Sequence, residues 1–77
     1  MPFRDLVTPH AARQARRRNI SLVAMEAIYA DPDDVRPSSH DPHREIRGRW
    51  FAGSRVEIVV DMIDGRVVTA WRKRSDT

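Results

Sequence analysis

The chain has 77 residues, no cysteine and a formal net charge of +3, and Lys73 is its single lysine, so nearly all of its positive charge is arginine. That length supports one domain, spanning residues 1–77, around one core; the lack of cysteine excludes disulfides and thiolate metal sites; and no apolar run approaches the ~18 residues that cross a bilayer. The opening MPFRDLVTPHAARQ has no hydrophobic segment of the signal-peptide kind, and the expectation is a cytoplasmic protein with no membrane partner.

Thr8-Pro9 reads as an N-cap followed by proline at the first helical position, which predicts a helix from Pro9 to Arg18. Ala11, Ala12 and Ala15 form its inward side, while Arg13, Arg16, Arg17 and Arg18 crowd the other faces, where like charges repel unless solvent or an anion absorbs them. Asn19 ends this helix and Ser21 caps a second, from Leu22 to Ala30, with Ile20 and Met25 placed as a hydrophobic staple. Leu22, Met25, Ile28 and Tyr29 make its apolar stripe, and it stops at Asp31-Pro32, because a residue before proline avoids helical geometry. Asp33 to His43, DDVRPSSHDPH, is polar and proline-containing and reads as a long exposed loop.

Three strand patterns fill the remainder. Ile46, Gly48 and Trp50 alternate with Arg47, Arg49 and Phe51; Val56, Ile58 and Val60 alternate with Arg55, Glu57, Val59 and Asp61; the third run is Arg66 to Arg72. Turns fall at Ala52-Gly53-Ser54 and Asp64-Gly65. The fold class expected is α+β, with two N-terminal helices packed on one face of a three-stranded antiparallel sheet and Phe3–Val7 as a candidate fourth strand at its edge.

A three-residue turn at 52–54 pairs Trp50 with Val56. It puts Ile46, Gly48 and Trp50 on the core face and Arg47, Arg49, Phe51, Arg55, Glu57 and Val59 on the open one. Arginines interleaved with an aromatic on an open sheet suit RNA, through phosphate contacts and base stacking. The third strand has two registers. A two-residue Asp64-Gly65 turn points Val67, Thr69 and Trp71 into the core, which burial favours; a Gly65 bulge sends Thr69 and Trp71 to the open face.

Motifs in a fixed order add a resemblance. His10-Ala11 and Arg13, then Arg17-Arg18-Asn19-Ile20-Ser21, then a helix closing on Asp31-Pro32-Asp33-Asp34-Val35 form the opening. Asp64-Gly65-Arg66-Val67-Val68-Thr69-Ala70-Trp71 forms the close. Together they resemble the short domains related to the RelE and BrnT bacterial toxins, within the wider group of barnase, colicin and RelE-like ribonucleases. Asn19 stands where those domains usually carry glycine, and Trp71 where they carry tyrosine. The resemblance implies a RelE-like fold and a metal-independent endoribonuclease that cleaves by 2′-hydroxyl attack, with RNA (messenger, transfer or ribosome-bound) as substrate and an antitoxin or immunity protein as partner. It carries His10 over as the acid/base group, with Arg13 beside it, and Thr69 as a hydrogen-bonding site residue. The strand alternation, and not the resemblance, adds Arg47 and Arg49 for the phosphate. Arg16, Arg17, Arg55 and Trp71 complete the expected RNA-binding set. No cofactor or metal is implied, since His40 and His43 sit in a proline-containing loop without further ligands.

Plainer readings stand beside each of these. His10 two residues past a helix cap also suits capping or packing, Arg16 to Arg18 a solvated helix end, and the tryptophans the core or an interface. The competing functions are a non-catalytic RNA- or ribosome-binding module and a protein-interaction module.

Overall fold

The computed structural model describes residues 1–51 and 53–74. A short 3-10 helix, Phe3–Leu6, precedes helix α1 (Pro9–Arg17) and helix α2 (Leu22–Ala30); strands β1 (Asp34–Pro37), β2 (Arg44–Phe51), β3 (Ser54–Asp61) and β4 (Val67–Arg74) follow. The fold class is α+β. The four strands form one antiparallel sheet in the order β1-β2-β3-β4.

Both helices start where their caps dictate. Thr8 Oγ1 accepts from the Ala11 N–H at 3.1 Å and Ser21 Oγ from the Ala24 N–H at 3.0 Å, each satisfying a donor that the first turn leaves free. Between them Asn19 takes φ 55°, the left-handed conformation that reverses the chain. Ala11, Ala15, Ile20, Met25 and Ile28 then bury against Val56, Ile58, Val60, Val67 and Ala70 on one face of the sheet. Alanines at the inner positions of α1 let it lie close on β4, whose buried residues are Val67 and Ala70.

The sheet departs from expectation in three places. The first is β1, which forms inside the segment expected to be a loop and supplies the fourth strand, whereas Phe3–Leu6 is helical and only Val7 bridges to Val67. β1 has almost no apolar alternation; as shown below, charge holds it. The second is the β2–β3 turn. Phe51 pairs with Ser54, so two residues rather than three intervene (Ala52 lies outside the described residues), and Gly53 takes φ +88°. This one-residue difference exchanges the faces of β2: Arg47, Arg49 and Phe51 lie on the helix side with Ile58 and Val56, and Ile46, Gly48 and Trp50 lie on the open side.

The third is the β3–β4 pair, where the register that burial favoured gives way to the other one: Val59 pairs with Thr69, Ile58 with Ala70 and Glu57 with Trp71, and the pairing shifts only at the turn end of the strands. Val60 pairs with Val67 and Val59 with Thr69, leaving Val68 as the extra residue of a bulge. Residues three apart normally face opposite ways on a strand; the bulge turns both Val67 and Ala70 into the core and sends Thr69 and Trp71 to the open face. Tyr29 fixes the hairpin to α2 by donating to Gly65 O at 2.8 Å.

Candidate functional site

Glu57 lies at the centre of the open face and is fully buried. Its burial comes from other side chains laid across it. Arg36 makes a two-pronged contact, Nη1 to Oε2 at 2.9 Å and Nη2 to Oε1 at 3.2 Å; Arg55 Nε donates to Oε2 at 3.1 Å; Trp71 Nε1 donates to Oε1 at 2.8 Å. Lys73 Nζ stands 3.5 Å from Oε1. Burial opposes ionisation of Glu57, but the hydrogen bonds from Arg36, Trp71 and Arg55 outweigh it and hold the carboxyl down to about 2.

Arg55 and Arg36 also bind acids of the β1 segment. Arg55 reaches Asp33 at 2.9 Å and Asp34 at 3.3 Å, and Arg36 reaches Asp34 at 3.0 Å. This is what recruits DVRP into the sheet. Its polar residues supply counter-charges to a buried glutamate instead of apolar contacts to a core. Gly48, paired with both Asp34 and Glu57, is what lets Arg55 cross β2, since a Cβ there would collide with the Arg55 guanidinium. Asp33, Asp34 and Glu57 thus face Arg36, Arg55 and Lys73, a balanced cluster that presents little net charge to a polyanion.

Arg47, Arg49 and Arg72, on the other face, serve the helices. Arg47 Nη1 donates to Tyr29 O at 2.8 Å, with its guanidinium 5.0 Å from the Tyr29 ring centre, and Nε contacts Glu45 at 2.8 Å. Arg49 donates to Asp31 O at 3.3 Å and lies over the Phe51 ring at 5.7 Å. Arg72 donates to Arg18 O at 3.3 Å, to Asn19 O at 2.8 Å and to Ser54 Oγ at 2.6 Å. Each places a cation on the free carbonyls of a helix C-terminus, where the helix dipole is negative.

The residues expected to carry chemistry are therefore spread over the molecule. His10 and Arg13 are exposed on α1, Arg47 is engaged at the end of α2, and Thr69 is on the opposite face of the sheet. Thr69 and Trp71 line a groove of about 370 Å³ on the open face beneath the Ser38–Asp41 loop, with His40, Ile46 and Val59. Of the expected RNA-binding set, Arg49, Arg55 and Trp71 have protein partners, whereas Arg16 and Arg17 point to solvent.

A charge division emerges that alternation alone did not reveal. In the first thirty residues Arg4, Arg13, Arg16, Arg17 and Arg18 stand against Asp5 and Glu26, while from Asp31 onward nine basic side chains meet nine acidic ones. The helical half carries the whole +3, and a residue count split at Asp31 would have found it. Among the described residues, none of those five arginines makes an ion pair; Arg18 only hydrogen-bonds Gln14, one turn back on α1.

No protein-family model matches the chain, and neither a curated protein nor a solved structure does.

Proposed function

We propose that this chain is an RNA-directed module that grips the phosphodiester backbone with the exposed arginines of α1. One observation carries the reading: the chain's entire net charge sits on the helical half, and Arg13, Arg16 and Arg17 there have no acidic partner among the described residues, while Arg36, Arg47, Arg49, Arg55 and Arg72 of the sheet are spent on carboxylates and helix ends. Arginine on a rigid helix presents planar donor pairs that match phosphate oxygens. Anisotropy of a labelled single-stranded RNA, titrated with protein over a range of salt, tests it. Binding should weaken steeply with salt, and replacing Arg13, Arg16 and Arg17 by alanine should reduce the slope by about 2 log units per log unit of salt. An unchanged slope in that variant would refute the proposal.

A second reading is cleavage, in keeping with the resemblance to RelE- and BrnT-related toxins. It is favoured by the position of His10, exposed on the same stripe of α1 as Arg13 and Arg17, three and four residues apart in succession. An imidazole beside two guanidinium groups has the elements for metal-independent transfer. His10 would take the 2′-hydroxyl proton, the 2′-oxygen would attack phosphorus, the P–O5′ bond would break with the 5′-oxygen taking a proton from solvent water, and the arginines would stabilise the phosphorane charge. Products ending in 2′,3′-cyclic phosphate, formed in EDTA and absent with His10→Ala, would support it; RNA that stays intact while bound leaves the binding module. In either case a cognate antitoxin or immunity protein is the proposed partner, and growth arrest on induced expression is the cellular readout.

A further inference from the structure

We infer that the groove between α1 and α2 is a docking site for an acidic amphipathic helix of a partner protein. The groove has a volume of about 290 Å³; Ala12, Ile20, Leu22 and Met25 give it an aliphatic lining, and Arg4 and Arg16 stand on its rim. Ile20 and Met25 are buried, as a staple requires, but Leu22 is 43 % exposed and Val23 beside it 76 %. The first turn of α2 therefore leaves two large aliphatic side chains in water, and one of them, Leu22, lines an apolar groove. Alanine at position 12 creates room there, since it stops short of the surface that a larger side chain would fill.

Charge and shape select the occupant. A second copy of the chain would bring another +3 helical half against this one, which repels. A bilayer is flat, and this surface is recessed. Single-stranded RNA seeks aromatic faces on which to stack, and the lining has none. A helix with an apolar stripe fills an aliphatic groove with side chains at successive turns, and acidic residues flanking the stripe reach Arg4 and Arg16. The inference stands apart from RNA binding, because Leu22 carries no charge for phosphate to meet.

The probe is a labelled synthetic helix of about five turns (~18 residues), with a leucine stripe flanked by glutamates. Its controls are a lysine-flanked version and a scramble of the same composition. The glutamate-flanked helix should bind the full chain, shift the amide resonances of Ala12, Leu22 and Met25, and lose about tenfold in affinity with Leu22→Ser, with RNA affinity unchanged. Arg16→Glu should weaken that helix and improve the lysine-flanked one. Equal binding of the scramble, or resonance shifts centred elsewhere, would overturn the inference. So would a dimer broken by Leu22→Ser, or binding to phosphatidylglycerol vesicles that Leu22→Ser abolishes while the peptide fails to bind.

Discussion

Trp71 donates its indole N–H to Glu57 at 2.8 Å directly across the β3–β4 pair, so a tryptophan at the sheet edge and a carboxylate at its centre are fixed by one bond. That bond exists because the Val68 bulge turns Trp71 to the open face. Without it, Glu57 would lose a donor that brings no charge and would depend on the cations Arg36, Arg55 and Lys73.

Acid should loosen the fold through this group. Glu57 is held down from the ordinary 4.5 to about 2, so its contribution is fully present above pH 4.5 and is lost as pH falls through 2. The linked loss is at most about 3 kcal/mol, a large share of the stability of a domain this small. Urea unfolding followed by tryptophan fluorescence at successive pH values should show a falling midpoint across that window.

Glu57→Gln should flatten the acid limb and lower stability at neutral pH by about 3 kcal/mol, because Arg36 and Arg55 would then face a neutral amide in a buried setting. Both effects are readable in the same urea series. A neutral-pH midpoint equal to that of the parent chain would contradict the account of the cluster.

Gly48→Ala should cost about 1–2 kcal/mol, although alanine suits a strand better than glycine does. The added methyl displaces the Arg55 guanidinium from Asp33 and Asp34, and the loss should concentrate in β1. Amide hydrogen exchange should show faster exchange at Arg36 than at Ile58.

Arg47→Ala should destabilise the chain by about 1–2 kcal/mol through the loss of the α2 carbonyl contact and the Tyr29 stacking, and leave RNA affinity unchanged. Thermal unfolding and RNA anisotropy on one preparation separate the two. Reduced RNA binding by a folded Arg47→Ala protein would return the strand arginines to the binding surface.

Tyr29→Phe removes the hydroxyl that holds Gly65 O and should cost about 1 kcal/mol, with faster exchange confined to the β3–β4 turn.

Helices were legible because their signals are local. Thr8, Pro9, Ser21 and Pro32 each act within a few residues of where they stand, and α2 runs from Leu22 to Ala30 as its caps require. Strand facing was less legible because it depends on turn length, and one residue at 52–54 moved Arg47 and Arg49 to the other side. β1 was hidden for a different reason. Strand patterns are recognised by apolar alternation, and Asp34 and Arg36 are drawn into the sheet by counter-charges on β3, some twenty residues away. The cluster around Glu57 was invisible for the same reason, since its members come from three strands.

The separation of charge also bears on how the molecule meets a partner. A nearly neutral sheet half, loops included, with nine basic and eight acidic residues from 31 to 74, backed by a positive helical layer is an electric dipole with a fixed direction in the molecular frame. In the field of any polyanion it experiences a torque before contact, which turns α1 inward and the sheet outward. The cost of orientational search, which slows most associations, is thereby reduced, and arrival geometry is set at a distance by the arginines of a single helix.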